Sequence, residues 1–188
     1  MARLTLPRIR PLSRTEAFLV AAIGALMIAY FGTLAYLDRR AAVYFEQTRA
    51  ADPDLYLRQL RAGRGFEAFL PEYAALKGFE HFTPEPPDFL IGRWTMRDEM
   101  LRLVPGERPE RCTNPVTFEH GLMLTVEPSP KAHVAAYRIA EGQIEVRLDG
   151  ENGPVVPIRP VSFGSALDHL EFTPPGQTAP VMAYFCGG

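Results

Sequence analysis

Residues Ala17 to Leu37 read AFLVAAIGALMIAYFGTLAYL, 21 positions without one charged side chain. A helix of that length, at about 1.5 Å per residue, covers the ~30 Å hydrocarbon core of a bilayer. Glu16 bounds the run on one side and Asp38-Arg39-Arg40 on the other. Tyr30, Phe31 and Tyr36 gather toward its C-terminal end, where amphipathic rings favour the headgroup level. The core helix of a soluble protein rarely runs this far without a polar face. Thr33-Leu34-Ala35 offers a small-residue cleavage site, but the apolar region of a cleaved signal is usually about 7–15 residues. The length therefore predicts an uncleaved anchor. The chain divides into a tail at 1–16, a transmembrane helix at 17–37, a helical neck and proline-rich connector at 38–88, and a β domain at 89–188.

Charge flanking the span predicts its orientation. The tail carries Arg3, Arg8, Arg10 and Arg14 against Glu16, while on the other flank Asp38, Glu46 and Asp52 dilute Arg39, Arg40 and Arg49. The positive-inside bias places the tail in the cytoplasm and the large domain across the membrane. The usage of arginine over lysine, with Lys77 and Lys131 alone, fits a GC-rich bacterial gene, which makes the expected location the inner membrane with a periplasmic domain. The net charge of −2 provides no basic field to attract nucleic acid.

Within the span Ala21, Ala25, Ala29 and Thr33 recur every fourth residue, continuing from Ala17, with Gly24 and Gly32 nearby. Lipid supplies no hydrophobic drive for helix pairing, so close approach across small side chains is what lets such helices associate. The spacing marks this stripe as a helix-packing face toward other transmembrane subunits. An alanine-rich composition scatters alanines as well, and that reading stays open. No Asp, Glu, Lys, Arg or His lies inside the span, so it shows no ion path or proton relay.

Beyond the span the helix is expected to continue for several turns. Asp52-Pro53 then joins an N-cap to a proline at the first helical position, predicting a new helix that ends near Gly63 and Gly65. Phe66, Phe69, Leu70, Tyr73 and Leu76 follow helical spacing in a third helix, interrupted at Pro71 and capped by Gly78. Packing of these aromatic helices on their own domain is favoured over a membrane or a partner as their cover. Thr83-Pro84-Glu85-Pro86-Pro87 reads as a stiff extended connector.

From Phe89 the apolar period becomes two. FLIGRWTM, MLRLV, VTFEHGLMLTVE, HVAAYRIA, QIEVRLDG, VVPIRPVSF, HLEFT and VMAYF read as strands, joined tightly at Glu141-Gly142 and again around Asp149-Gly150 and Asn152-Gly153. No helix-length pattern separates them, which excludes a parallel α/β sheet. The fold class is mainly β: an antiparallel barrel or sandwich of about eight strands behind a transmembrane helix and a helical neck.

Gly92-Arg93-Trp94 holds the sole tryptophan and resembles the G-x-W signature that opens lipocalin-like barrels of the calycin type. YRIAEGQIEVRLDG with HLEFT and VMAYF resembles the closing meander of such domains, so the likeness covers Phe89 to Gly188. It implies a small barrel with Trp94 buried at the closed end, and an apolar ligand inside. A disulfide from the last strand to an earlier segment is in character. The arginine that packs across the tryptophan in that family has Arg159 as its nearest counterpart, one strand too early.

Cys112 and Cys186 lack CxxC spacing, which argues against a zinc ribbon or a dithiol redox pair. One disulfide closing a long loop is expected of them in an oxidising compartment, with two buried thiols as the other arrangement. His81, His120, His133 and His169 stand singly without a close ligand pair, although His120 and His133 meet if their strands are adjacent. Asp98 and Glu99 alternate across a strand edge and so diverge. Gly63-Arg64-Gly65 is too short for a phosphate loop, and Ser162 and Ser165 form no G-x-S-x-G. No catalytic, metal or cofactor residues are assigned and no cofactor is expected.

These features predict a non-catalytic accessory or assembly subunit of an inner-membrane complex of respiratory, photosynthetic or transport type. The alternative is a membrane-tethered carrier with a lipid or other apolar ligand in its barrel. An enzyme whose site is assembled from distant residues is a third reading.

Overall fold

The computed structural model describes residues 13–126 and 129–186. Arg3, Arg8 and Arg10 of the expected tail lie outside the described residues. The chain forms two compact units, Met1–Ala51 and Asp52–Gly188.

Among its described residues the first unit forms one helix, α1 (Arg14–Ala51). Its start is a reciprocal cap: the Ser13 amide donates to Glu16 Oε2 at 2.7 Å and the Glu16 amide to Ser13 Oγ at 3.3 Å. The apolar stretch lies inside this helix, which is long and apolar enough to cross a membrane. Helical structure then continues from Asp38 to Ala51, about 21 Å further at 1.5 Å per residue.

The second unit opens with α2 (Pro53–Arg64), whose N-terminus is capped by the Asp52 carboxylate accepting from the Leu55 amide at 2.9 Å. Gly63 does not stop the helix; Gly65 does, at φ 85°. The next helix, α3 (Phe66–Lys77), is continuous through Pro71, contrary to the expected interruption. Proline there removes the hydrogen bond to Glu67. Burial of Phe66, Phe69 and Leu70 before it and Tyr73 and Ala74 after it holds one helix across the gap. Gly78 closes α3 in the left-handed conformation, and the Phe79 amide bonds the Ala74 carbonyl at 2.8 Å. Phe66, Phe69, Tyr73, Phe79 and Phe89 form one aromatic cluster, with ring centroids from 5.2 to 5.9 Å apart. The neck helices are thus covered by their own unit.

Eight antiparallel strands, each bonded to its sequence neighbours, close into a barrel: β1 (Gly92–Arg97), β2 (Pro115–Glu119), β3 (Leu122–Thr125), β4 (Lys131–Ala140), β5 (Gln143–Leu148), β6 (Val155–Phe163), β7 (Ala166–Phe172) and β8 (Val181–Phe185). The seam is β1 on β8, with Trp94 opposite Phe185 and Met96 opposite Ala183. The turn at Glu141-Gly142 has φ of 51° and 75°, as a two-residue hairpin requires.

Two sequence assignments change. MLRLV is not a strand: Glu99–Leu101 is a single 3-10 turn capped by the Asp98 carboxylate, and the chain beyond it is irregular. Asp98 and Glu99 therefore do not alternate along a strand edge. VTFEHGLMLTVE is not one strand but the hairpin β2–β3, turned at His120-Gly121, with Gly121 at φ 67°. The count of eight survives because one loss and one gain offset each other.

Cross-strand partners share a face, and one face is buried all round: Tyr137 with Val146 and Val156, Ile139 with Ile144 and Ile158, Leu170 with Ala183 and Met96. Phe118 on β2 meets Tyr137 on β4 and Phe172 on β7 at 6.5 and 6.4 Å, so side chains from separate walls touch inside. Phe118, Tyr137, Ile144, Val146 and Ile158 have no accessible surface, and the barrel interior is packed with side chains. β3 is shorter than its neighbour β4. The connector completes that edge: Thr83 and Tyr137 exchange two backbone bonds of 3.0 and 2.7 Å, and the Ile139 amide donates to the Phe79 carbonyl at 2.8 Å.

Candidate functional site

Ala21, Ala25, Ala29 and Thr33 all lie on α1 and are exposed. Each four-residue step advances about 40° around a regular helix, so the stripe turns by about 120° from Ala21 to Thr33. That drift suits a partner helix crossing at an angle better than a parallel one. The Thr33 hydroxyl donates to the Ala29 carbonyl at 2.8 Å, so it is satisfied within the helix. Near the end of the apolar stretch the Arg40 guanidinium sits over the Tyr36 ring, 5.3 Å from its centroid.

Gly92 and Trp94 lie on β1. Gly92 has φ 122°, and a Cβ built on it would stand 2.9 Å from the Phe185 ring, so both conformation and space demand glycine. That ring packs edge-on against Trp94 at 5.2 Å. Trp94 is 2% exposed and its indole Nε1–H donates to the Leu90 carbonyl at 2.8 Å. The G-x-W spacing thus serves the seam: glycine admits the Phe185 ring and tryptophan fills the space beneath.

Cys112 and Cys186 are disulfide-bonded, with Cα atoms 5.4 Å apart across 74 positions of sequence. The bond ties the end of the β1–β2 connection to the residue after β8, where the Cys186 amide also donates to the Arg93 carbonyl at 2.9 Å.

That connection, residues 98–114, covers a polar cluster on the outer face of the barrel. Thr95, Tyr184 and His169 stand side by side across β1, β8 and β7, on the face opposite to the packed interior, yet all three are buried. The Leu103 amide donates to the Tyr184 hydroxyl at 3.2 Å and the Gly106 amide to Asp168 Oδ1 at 2.6 Å. His169 Nδ1 lies 2.8 Å from Asp168 Oδ2, and its Nε2 lies 3.3 Å from Glu171 Oε1. Arg159 Nε donates to the other Glu171 oxygen at 2.9 Å. Burial acts to raise the Glu171 pKa, but hydrogen bonds from Arg159 and His169, with their charge, outweigh it and hold the carboxyl below the ordinary range.

A register shift in β6–β7 makes this cluster possible. Val161 pairs with His169 but Ser162 pairs with Leu167, so Asp168 is the extra residue of a bulge. The bulge brings Asp168 beside His169 instead of sending it to the opposite face. Spacing alone shows His169 and Glu171 on one face, at i and i+2, but not the bulge. The two carboxylates approach opposite ring nitrogens and do not converge. Among the described residues no group of three or more His, Cys, Asp or Glu has metal-holding geometry.

The other histidines are separate. His120 Nδ1 meets Glu85 at 2.7 Å and His133 Nδ1 meets Asp149 at 3.0 Å, so each is held by its own carboxylate and the two do not form a shared site. Ser165 contributes a backbone carbonyl to Arg61 Nε at 2.9 Å. Arg159, the nearest counterpart of the tryptophan-packing arginine, is engaged with Glu171. Arg61 of α2 lines the same cleft as Trp94. No known family model matches this chain, and no curated protein or solved structure is significantly similar to it.

Proposed function

We propose that this protein is a non-catalytic accessory or assembly subunit of a bacterial inner-membrane complex, anchored by α1 with its β domain in the periplasm. The observation that carries the reading is a long apolar helix, with Phe18, Leu26 and Ile28 all exposed, followed in the same chain by α2, α3 and a barrel whose interior is filled. An exposed apolar helix is at home in lipid, and one with small residues on a stripe is suited to a neighbouring helix. A barrel without room inside favours this reading over a carrier with an apolar ligand in its lumen. We further infer that the barrel is lipocalin-like. The up-and-down order of eight strands and the Gly92–Trp94 arrangement on β1 support that relationship.

Purification in a gentle detergent, with identification of what co-elutes, tests the assembly. Recovery of the chain alone at every detergent strength would count against it. Replacing Ala25 and Ala29 together with leucine is expected to preserve insertion, since leucine is at least as apolar as alanine. The bulk should hold a partner helix away, so the double variant is expected to lose its partners during extraction. Ala22→Leu, off the stripe, is the control. Equal recovery of partners with both proteins would reduce α1 to a simple anchor.

Topology has its own test. A reporter active only in the cytoplasm, fused after Gly188, is expected to be silent. The same reporter fused at the N-terminus is expected to be active. Strong activity of the C-terminal fusion would reverse the assigned orientation.

A further inference from the structure

A cleft of about 400 Å³ opens between the end of α2, the β1–β2 connection and the β6–β7 turn. That volume is within the range of small-ligand sites, about 300–1,000 Å³. Ile91, Phe163 and Phe185 provide apolar wall in front of the enclosed Trp94, and Arg61 and Arg108 provide cations. Arg61 is unusually fixed for a charged side chain. Its guanidinium lies 5.3 and 5.5 Å from the ring centroids of Phe66 and Phe69, and its Nε donates to the Ser165 carbonyl at 2.9 Å. Among the described residues it has no ion-pair partner, and its Nη groups have no recorded acceptor. Burial alone pulls its pKa below the usual value.

A half-buried guanidinium without a counterion is an unfavourable arrangement that an oxyanion relieves, and a planar fork held in place loses little freedom on binding one. Asp168 also lines the cleft but is engaged by His169 and the Gly106 amide. Asp88, Glu107 and Asp168 outnumber the two cations, so the net field does not favour a bare small anion. What the cleft offers is a local fork beside an aromatic wall. We propose that it binds an amphipathic oxyanion, a carboxylate or phosphate carrying an acyl chain, with the head group on Arg61 and the chain along Phe163 and Phe185. The site lies wholly within the second unit and is independent of the assembly reading.

The sole tryptophan gives a direct readout. Full-length protein in non-ionic detergent is titrated with cis-parinaric acid, a fatty acid whose conjugated chain accepts energy from Trp94. Saturable transfer is expected for the natural protein. Arg61→Gln is expected to weaken it about tenfold or more, the loss of a charge-assisted bidentate contact. Ala166→Phe, which adds bulk to the cleft wall without altering charge, is expected to weaken it as well. It is the deciding variant if the emission of Arg61→Gln shows a disturbed fold. Methyl parinarate should fail to saturate. Equal transfer from the ester, or undiminished binding by Ala166→Phe, would overturn the proposal and leave only partition into detergent. Displacement by dodecyl phosphate assigns the head group to a phosphate source such as a lipid. Displacement by laurate alone assigns it to a free carboxylate.

Discussion

Replacing Trp94 with alanine is expected to cost about 3–5 kcal/mol of stability, the range for removing a large buried aromatic side chain. The indole is among the largest fully enclosed side chains of the barrel and its Nε1–H satisfies the Leu90 carbonyl. Truncation therefore leaves a cavity at the β1–β8 seam and an unpaired buried acceptor together. Tryptophan emission from the native protein should be blue-shifted and move to the red on unfolding. Trp94→Phe keeps most of the volume and is expected to lose clearly less. Denaturant melts of the two variants provide the comparison. A small loss for the alanine variant, or a water-exposed native spectrum, would remove Trp94 from its structural role.

Loss of the Cys112–Cys186 bond has a comparable expected effect through a different state of the chain. The bond spans 74 positions, and chain-entropy reasoning gives about 4 kcal/mol for a loop of that length. Freshly purified protein is expected to have no alkylatable thiol. The double variant Cys112→Ser with Cys186→Ser should show a lower unfolding midpoint by that order, with little change in the folded far-ultraviolet spectrum. An unchanged midpoint would mean that the Leu103 and Gly106 amides hold the β1–β2 connection without covalent help.

The barrel was legible because its strands keep period two over short spans and its turns use residues suited to positive φ. QIEVRLDG is the clearest instance: Ile144, Val146 and Leu148 are inward and buried while Glu145 and Arg147 face out. MLRLV misled for a physical reason. It is an apolar run broken only at Arg102, but the Leu103 amide donates to the Tyr184 hydroxyl and not to a strand ladder, while Met100 stays 91% exposed. Pro71 misled because a local rule was outweighed by burial on both sides of it. The disulfide was readable from compartment and count, although not as a certainty, since two distant thiols have more than one fate. The Asp168–His169–Glu171–Arg159 cluster was not legible. It depends on a one-residue bulge and on a loop folded back over the outer face, and neither leaves a mark in residue spacing.

The seam between β1 and β8 fixes an order of events during synthesis. Arg93 and Trp94 are made about 90 residues before their partners Phe185 and Cys186. Until then the growing sheet has two open edges, with β1 on one side and the newest strand on the other. Non-local pairing of this kind is the slow part of β folding, because the loop must be closed before any contact rewards it. A premature stop between Phe172 and Val181 therefore yields more than a shortened barrel. It leaves one edge of β1 and one edge of β7 open, Trp94 without Phe185 above it, and Cys112 with no partner to oxidise against. Such a product is an exposed sheet carrying a free thiol, suited to aggregation and to mixed disulfides with its neighbours.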